Sequence, residues 1–224
     1  MDFTDSQIQR YSRHIILPEV GGKGQKKLSR AKILIIGAGG LGSPAALYLA
    51  AAGIGTLGLV DGDVVDLSNL QRQILHTTAT IGLPKVESGR QMLATLNPEI
   101  TIKTYQENVA ADNIMRFLPE YDIVLDGSDN FTTRFLVNDA CYFAKKTLIS
   151  GSIFRFEGQL TTIKPTRAIP ATAASIPSRL QQGSCPIARK PGYWGCWPAP
   201  SECSKQPKQS RRFWTSGKRS PTDC

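Results

Sequence analysis

The sequence lacks a long apolar run, a hydrophobic leader and closely paired cysteines. No apolar stretch in its 224 residues reaches the ~18 that a membrane-spanning helix needs, so no membrane partner is expected. Residues 1–10 are polar, so we expect no signal peptide and a location in the cytoplasm. The five cysteines include no CxxC pair, which argues against a four-cysteine zinc site. The remaining composition, 41% hydrophobic and 20% charged residues, is typical of a soluble globular protein.

Positive charge is concentrated at one end of the chain. The net charge of +9 would by itself suggest nucleic-acid binding. However, residues 166–224 hold 10 basic and 2 acidic residues, whereas residues 1–165 hold 17 and 16. The same tail contains all three tryptophans and no sustained hydrophobic period. We therefore predict a folded domain at residues 1–165 and a disordered tail at 166–224, and we do not expect the domain to bind nucleic acid.

Hydrophobic periodicity before residue 165 predicts alternating strands and helices. Short apolar runs, many of them β-branched, predict strands at residues 31–36, 56–60, 100–105, 121–125 and 147–151. Helices are predicted at residues 7–17, 43–52, 85–96, 112–118 and 134–144, and an antiparallel strand at 156–163. Glycines at 21, 22 and 24 predict a loose connection after the first helix. The fold class is therefore α/β, with a Rossmann-like, mostly parallel sheet and flanking helices, truncated in its C-terminal part.

A glycine-rich turn follows the first predicted strand. Residues 37–42 read GAGGLG, a G-x-G-G-x-G pattern placed between a strand and a helix. Glycines permit a tight turn and a close approach of the backbone to phosphate, and the helix N-terminus offers free N–H groups. Asp61 ends the next strand, where a carboxylate can bind ribose hydroxyls. These features predict a nucleotide site; the alternative is a turn that only packs the helix on the strand.

Polar side chains follow the second predicted strand. Ser68 is the predicted N-cap of a short helix. Asn69, Arg72 and Gln73 then fall at i, i+3 and i+4 on one helix face, which suits a polyphosphate, although a solvated helix surface would have the same composition. Lys85 begins the next helix, where a cation is unfavourable unless an anion lies nearby. It is therefore either a phosphate ligand or a surface lysine.

Acidic residues follow the predicted strand at 121–125. Ligands of open α/β sheets bind outside the carboxyl ends of the strands, so Asp61 and Asp129 are expected at one rim. Asp129 is a candidate Mg²⁺ ligand, because Mg²⁺ takes one or two carboxylates together with phosphate oxygens. Asp126 is interpreted as a helix cap or turn residue.

These motifs together resemble the ThiF/MoeB family, the bacterial branch of the ubiquitin-activating-enzyme superfamily. The resemblance covers about residues 5–165. It rests on YSRH at 11–14, GAGGLG at 37–42, SNLQRQ at 68–73, PK at 84–85, DGSDN at 126–130 and EGQ at 157–159. It implies a homodimer that binds ATP and Mg²⁺ and adenylylates the C-terminal Gly-Gly carboxylate of a small ubiquitin-like sulfur-carrier protein, of the molybdopterin or thiamine type.

The resemblance also implies roles for individual residues. Gly40 would meet the phosphates and Asp61 the ribose, while Arg13 would reach the ATP of the other subunit. The residues implied in catalysis are Arg13, Arg72, Lys85 and Asp129, the last as the Mg²⁺ ligand. Those implied in nucleotide binding are Gly37, Gly39, Gly40, Gly42, Asp61, Asp63, Ser68, Asn69, Leu70, Gln71, Arg72, Gln73, Lys85, Asp129 and Asn130.

The tail departs from the family pattern. The family continues through two cysteine pairs that bind Zn²⁺, whereas the cysteines at 185, 196, 203 and 224 have no CxxC spacing, so the zinc ligands are missing. Reading each codon one base earlier, with permitted synonymous codons, converts residues 170–177 to PCYRCLYP and residues 204–214 to LQATEAIKAIL. Both are family-like, and the first restores the CxxC. We therefore predict a frameshift near Pro165.

Three functions follow from these patterns. The leading one is adenylylation of a sulfur-carrier protein. The rival enzyme class is an NAD-dependent oxidoreductase of Rossmann type, since the glycine turn and Asp61 alone do not separate ATP from NAD. The third is a damaged, non-enzymatic product of a frameshifted gene, and a basic tail that binds nucleic acid is the alternative to the frameshift itself.

Overall fold

The computed structural model describes residues 3–155 and 157–165, which form a six-stranded sheet flanked by helices. The predicted tail at 166–224 lies outside these residues. The helices are α1 (Asp5–Ile15), α2 (Gly21–Leu28), α3 (Gly42–Ala51), α4 (Lys85–Leu96), α5 (Ile114–Phe117) and α6 (Phe131–Phe143). The strands are β1 (Lys32–Ile36), β2 (Thr56–Val60), β3 (Thr101–Tyr105), β4 (Ile123–Asp126), β5 (Thr147–Phe154) and β6 (Glu157–Ile163).

The sheet has the strand order β3-β2-β1-β4-β5-β6. Strands β1 to β5 pair in parallel, and β6 pairs antiparallel with β5. The chain leaves β1 toward β3 and then crosses back to β4, so the direction of strand order reverses between β1 and β4. This reversal opens a crevice at the carboxyl ends of these two strands. The predicted α/β, Rossmann-like and mostly parallel fold is confirmed.

Strand β1 separates two hydrophobic clusters because successive side chains of a strand point to opposite faces. Ile33 and Ile35 pack with residues of α3 and α4 on one face. Leu34 and Ile36 pack with residues of α5, β4 and α6 on the other. All four side chains are at most 5% exposed, which explains why this strand reads as a continuous apolar run.

Helix α2 corrects the prediction of a loose connection. Its glycines at 21, 22 and 24 lower helix propensity, but tertiary contacts outweigh that cost. Gln25 is fully buried, donates from Nε2 to the carbonyl of Ala52 at 2.9 Å, and lies with Oε1 3.1 Å from Nδ1 of His14. Sequence propensity alone does not register such long-range bonds.

Helix α1 packs at the edge of the sheet where the strands begin. The hydroxyl of Tyr11 accepts a hydrogen bond from Asn97 at 2.9 Å and lies 3.4 Å from Glu99, and both of these residues precede β3. Gly53, just before β2, has its α-carbon against the Tyr11 ring, where any Cβ would lie 2.5 Å from that ring. Within the described ranges, no helix combines the length and apolar character of a membrane crossing.

Candidate functional site

A cavity of about 410 Å³ lies at the carboxyl ends of β1 to β4, where the strand order reverses. Each of the four strands ends in a loop that forms one wall of the cavity, so residues distant in sequence meet there. The sequence-predicted residues that line the cavity are Gly37, Gly39, Gly40, Asp61, Asp63, Arg72, Gln73, Lys85, Asp129 and Asn130.

The glycine turn supplies free backbone donors. Gly37 has φ +86°, a conformation that favours glycine, and a Cβ there would lie 3.0 Å from the carbonyl oxygen of Gly127. Among the described residues, the backbone N–H groups of Gly39, Gly40 and Leu41 have no hydrogen-bond acceptor. They lie just before the N-terminus of α3, so the turn can present three donors to an anion.

Asp61 holds the glycine turn in shape. Its Oδ2 accepts a hydrogen bond from the Ala38 N–H at 2.8 Å, and its Oδ1 accepts one from the Asp63 N–H at 2.8 Å. Each carboxylate oxygen keeps a second lone pair, so the side chain can also accept from a ligand hydroxyl. Asp61 therefore has a structural role in addition to its predicted contact with ribose.

Lys85 faces the cavity from the first turn of α4. Its side chain is 8% exposed, and Nζ donates to Oδ2 of Asp63 at 2.8 Å, whose own side chain is 68% exposed. A nearly buried ammonium requires an anionic partner. Lys85 is thus not a free surface lysine, and the anion beside it in the protein itself is the Asp63 carboxylate.

The segment between β2 and α4 differs in detail from the prediction. A 3₁₀ helix spans Leu67–Asn69, and its N-cap is Asp66, not Ser68. The Asp66 carboxylate accepts from Ser68, which lowers the pKa of Asp66, and Oδ1 of Asn69 accepts from the Asp66 N–H at 3.2 Å. Aspartate competes with serine as an N-cap, which the residue pattern alone did not resolve.

Two residues of this segment reach the cavity. Arg72 lies over Gly40 and donates to the Ser68 carbonyl at 3.2 Å. Gln73 is 4% exposed beside Gly39, and its buried Oε1 has no hydrogen-bond partner among the described residues. A buried amide oxygen without a donor is costly, so it favours a ligand that supplies one.

The loop after β4 forms the opposite wall. Asp126 is buried, and its Oδ1 accepts from the Ser128 N–H at 3.0 Å and from the Ser128 hydroxyl at 2.6 Å, so it shapes a turn as predicted. Burial raises the pKa of Asp126 despite these bonds. Asn130 caps α6 by accepting from the Thr133 N–H at 2.8 Å. The exposed Asp129 carboxylate has no protein partner in the described ranges and faces the cavity.

Other predicted residues lie outside the cavity lining. Gly42 packs beneath the turn, Arg13 is exposed on α1, and the rest belong to the segment before Arg72: Ser68, Asn69, Leu70 and Gln71. Cys141 is buried in α6, as predicted, and burial raises the pKa of its thiol to about 12. The other four cysteines lie outside the described residues.

The sequence interpretation missed several residues at the site. Glu107, Asn108 and Val109 line the cavity just after β3, where the carboxyl end of a parallel strand was a usable signal. His76 is buried, with Nε2 2.9 Å from the Ala38 carbonyl and Nδ1 3.0 Å from the Ser88 hydroxyl. No local pattern predicted that contact, because it joins residues far apart in the chain.

The donor set fits a nucleotide with Mg²⁺ better than an ion held by protein alone. No three His, Cys, Asp or Glu side chains converge as metal ligands anywhere in residues 3–155 and 157–165. One free carboxylate, at Asp129, faces the same cavity as the free N–H groups of the glycine turn. Mg²⁺ is usually bound through one or two carboxylates together with phosphate oxygens, and Asp129 could supply one such carboxylate.

Comparison with known proteins finds relatives that are named adenylyltransferases. The adenylyltransferase and sulfurtransferase MOCS3 of Culex quinquefasciatus is 53% identical over 157 residues, 70% of this chain and 36% of that protein. The sulfur carrier protein adenylyltransferase of Thermus thermophilus is 40% identical over 203 residues, 89% of this chain and 75% of that protein. This chain thus spans little more than a third of the first relative but most of the second.

A solved structure shares the fold. The E. coli tRNA N6-threonylcarbamoyladenosine dehydratase TcdA, in complex with ATP, has a TM-score of 0.64 and 29% identity, covering 69% of this chain and 65% of that one. The model of the ThiF family matches residues 11–191, which includes 26 residues beyond position 165. Since that match spans well over half of its 224 residues, the chain belongs to the ThiF family.

Proposed function

We propose that this protein is an ATP-dependent adenylyltransferase that acts on the C-terminal Gly-Gly carboxylate of a small sulfur-carrier protein. The observation that carries the proposal is the meeting, in one cavity, of the free backbone N–H groups of Gly39 and Gly40, two cationic side chains and one unpaired carboxylate. The names of the relatives that match most of this chain support the same activity. A dinucleotide site needs the glycine turn and Asp61, but it does not need Lys85 and Asp129 beside them.

The proposed reaction is a substitution at the α-phosphorus of ATP. A carboxylate oxygen of the carrier attacks that phosphorus, a C–O–P bond forms, the bond between the α-phosphorus and the bridging oxygen breaks, and pyrophosphate leaves with the electron pair. The attacking carboxylate is already ionised, so no general base is required. The protein has to position both reactants and neutralise the charge that moves onto pyrophosphate.

The residues of the cavity have separate roles in this reaction. The N–H groups of Gly39 and Gly40 bind phosphate oxygens, and Asp61 accepts from the ribose. Arg72 and Lys85 neutralise the phosphates, and Lys85 exchanges its Asp63 partner for a phosphate when ATP enters. Asp129 would hold Mg²⁺, which supplies additional charge neutralisation when bound.

The proposed assembly is a homodimer in which Arg13 serves the partner's site. Helix α1 packs at the edge of the sheet where the strands begin, whereas the cavity lies at the other edge, so Arg13 is remote from the site of its own chain. One segment beside the cavity also exposes several large apolar side chains, which favours a protein interface there. They are Val64, Leu67, Ile74, Ile81 and Leu83.

Carrier-dependent exchange of radioactive pyrophosphate into ATP tests the proposal. Exchange should require the carrier and Mg²⁺, and it should disappear when the carrier lacks its terminal Gly-Gly. Lys85→Gln should lower exchange by about a hundredfold, because one phosphate contact is lost from the transition state. Lys103→Gln is the matched control, since Lys103 lies on β3 outside the cavity lining and forms an exposed ion pair with Glu120. Tight NAD binding without ATP binding would favour the oxidoreductase.

A further inference from the structure

The peptide groups around Ala38 are held from two sides. The Ala38 N–H donates to Oδ2 of Asp61 at 2.8 Å. The Ala38 carbonyl lies 2.9 Å from Nε2 of His76 and accepts a longer bond from the Ser43 hydroxyl at 3.3 Å. Ala38 is 1% exposed, so water cannot replace these partners easily.

The geometry of the peptide bond connects His76 to the cavity. The Ala38 carbonyl and the Gly39 N–H belong to one planar trans peptide group, so they point in opposite directions. The carbonyl points toward His76, which is buried and lies outside the cavity lining, whereas Gly39 is part of that lining. The Gly39 N–H therefore points toward the cavity, where it has no acceptor among the described residues.

We propose that His76 is a positioning residue that aims the Gly39 N–H at a phosphate of the bound nucleotide. This inference rests on the proposed function, because it assumes that the glycine turn binds phosphate. His76 itself does not line the cavity and touches no reacting atom. It acts through the Ala38–Gly39 peptide group.

The protonation state of His76 follows from its partners. A carbonyl only accepts, so Nε2 carries the proton that the Ala38 carbonyl receives. Burial lowers the pKa of His76, and nearby Lys85 lowers it further, while Asp61 and the carbonyl act in the opposite direction. A neutral ring then leaves Nδ1 as an acceptor 3.0 Å from the Ser88 hydroxyl, whose single proton can go either to Nδ1 or to Thr80 Oγ1, 2.9 Å away.

Ser88 gives this contact a second consequence. It lies on α4, one turn after Lys85, so His76 links the glycine turn to the helix that carries the cationic wall of the cavity. The buried His76 ring thereby restricts the distance between the free N–H groups of the glycine turn and the Lys85 ammonium. A polyphosphate that spans the two walls benefits from that fixed spacing.

Binding measurements with ATP and with adenosine test the inference. The full chain, carried on a soluble fusion partner, is titrated calorimetrically as wild type, His76→Gln and His76→Phe. Glutamine can place an amide N–H near the position of Nε2, whereas phenylalanine keeps the ring and removes the donor. We expect His76→Phe to weaken ATP binding about five- to tenfold, the usual effect of one buried hydrogen bond. Adenosine binding should stay unchanged, and His76→Gln should recover most of the ATP affinity.

Three outcomes decide between explanations. If wild type binds ATP and His76→Phe weakens ATP and adenosine equally, His76 has only a general structural role and the inference is wrong. If His76→Phe loses its circular-dichroism melting transition, Ser88→Ala replaces it, with a smaller but still ATP-selective loss expected; an unselective loss overturns the inference. Failure of wild type to bind ATP would instead overturn the proposed function. As an independent check, ¹⁵N NMR should find the His76 proton on Nε2 at pH 7, and a proton on Nδ1 alone would contradict the contact.

Discussion

Two glycines of the same turn should respond to alanine in opposite ways. In Gly42→Ala the new Cβ would lie 1.8 Å from the carbonyl oxygen of Gly37, and real Cβ contacts are essentially never seen under 3.0 Å. The position of the Cβ is fixed by the backbone of residue 42, and the oxygen that it meets is also a backbone atom, so no side chain can rotate away. In Gly40→Ala the nearest atoms are side-chain atoms of Arg72 at 3.6 Å, an ordinary van der Waals distance.

The expected magnitudes follow from these distances. Overpacking typically costs about 1–3 kcal/mol, and a clash between backbone atoms belongs at the upper end, so Gly42→Ala should lower the free energy of unfolding by about 3 kcal/mol. That is a large fraction of the roughly 5–15 kcal/mol that stabilises a typical domain. Gly40→Ala should change it by less than about 1 kcal/mol, because an unstrained alanine also restricts the unfolded chain. Its methyl group, however, occupies the path of a phosphate and should weaken ATP binding at least about tenfold, or 1.4 kcal/mol.

Urea unfolding of the reading-frame-restored chain, followed by circular dichroism, separates the two effects when it is combined with ATP titration. For an m-value of about 1–3 kcal/mol/M, Gly42→Ala should lower the urea midpoint by at least about 1 M, while Gly40→Ala should leave it near that of wild type. An unchanged midpoint in Gly42→Ala would refute the tight packing of the turn. Unchanged ATP affinity in Gly40→Ala would refute phosphate binding by the turn.

Three further predictions concern the dimer, acid stability and the tail. Arg13→Ala and Asp129→Ala should each abolish pyrophosphate exchange, yet mixed dimers should recover part of it because one site then has both residues intact; no recovery would place Arg13 within its own chain. Because the pKa of His76 is lowered in the folded state, the unfolded state binds a proton more readily as the pH falls. The contribution of the neutral His76 ring to the free energy of unfolding is therefore complete above about pH 6.5 and is lost as the pH falls below it. Unfolding of the reading-frame-restored chain, measured between pH 7 and 5, should show a smaller loss of stability in His76→Gln than in wild type, and equal losses would contradict the buried neutral ring. A reading frame restored near Pro165 should give a soluble chain with about one Zn²⁺ by elemental analysis, whereas the chain as written, without a fusion partner, should be insoluble or unstable and bind none; equal zinc contents would contradict the frameshift.

Much of the fold could be predicted because local and tertiary preferences agree. Strand β2 and helix α4 have the predicted bounds, Thr56–Val60 and Lys85–Leu96. The strand is a short buried apolar run, and the helix is bounded by Pro84 and Asn97. Helix α1 begins two residues before the prediction, at Asp5, because Thr4 caps it through a capping box with Gln7. Helix α2 was not predicted, because its stability depends on the long-range bonds of Gln25.

The candidate site was predictable to the extent that it follows strand ends. The glycine turn, Asp61 and Asp129 each follow a parallel strand, so topology alone brings them to one rim. The Lys85–Asp63 ion pair and the contact between His76 and Ala38 depend on how the long β2–α4 segment folds back. Hydrophobic periodicity carries no information on such a segment, which has little regular structure of its own.

The central position of β1 has a consequence for the order of folding. Ile33 pairs with Leu57 within one β-α-β unit, but its other neighbour, Ile123, is separated from it by most of the domain. On a ribosome, β1, β2 and β3 can therefore pair before β4 has been synthesised, whereas the β1–β4 junction must wait for the chain beyond Gly127. The nucleotide cavity straddles that junction, so ATP binds only after the two halves have docked. Bound ATP should then retard their separation and slow unfolding more than it accelerates folding, if the junction closes after the transition state.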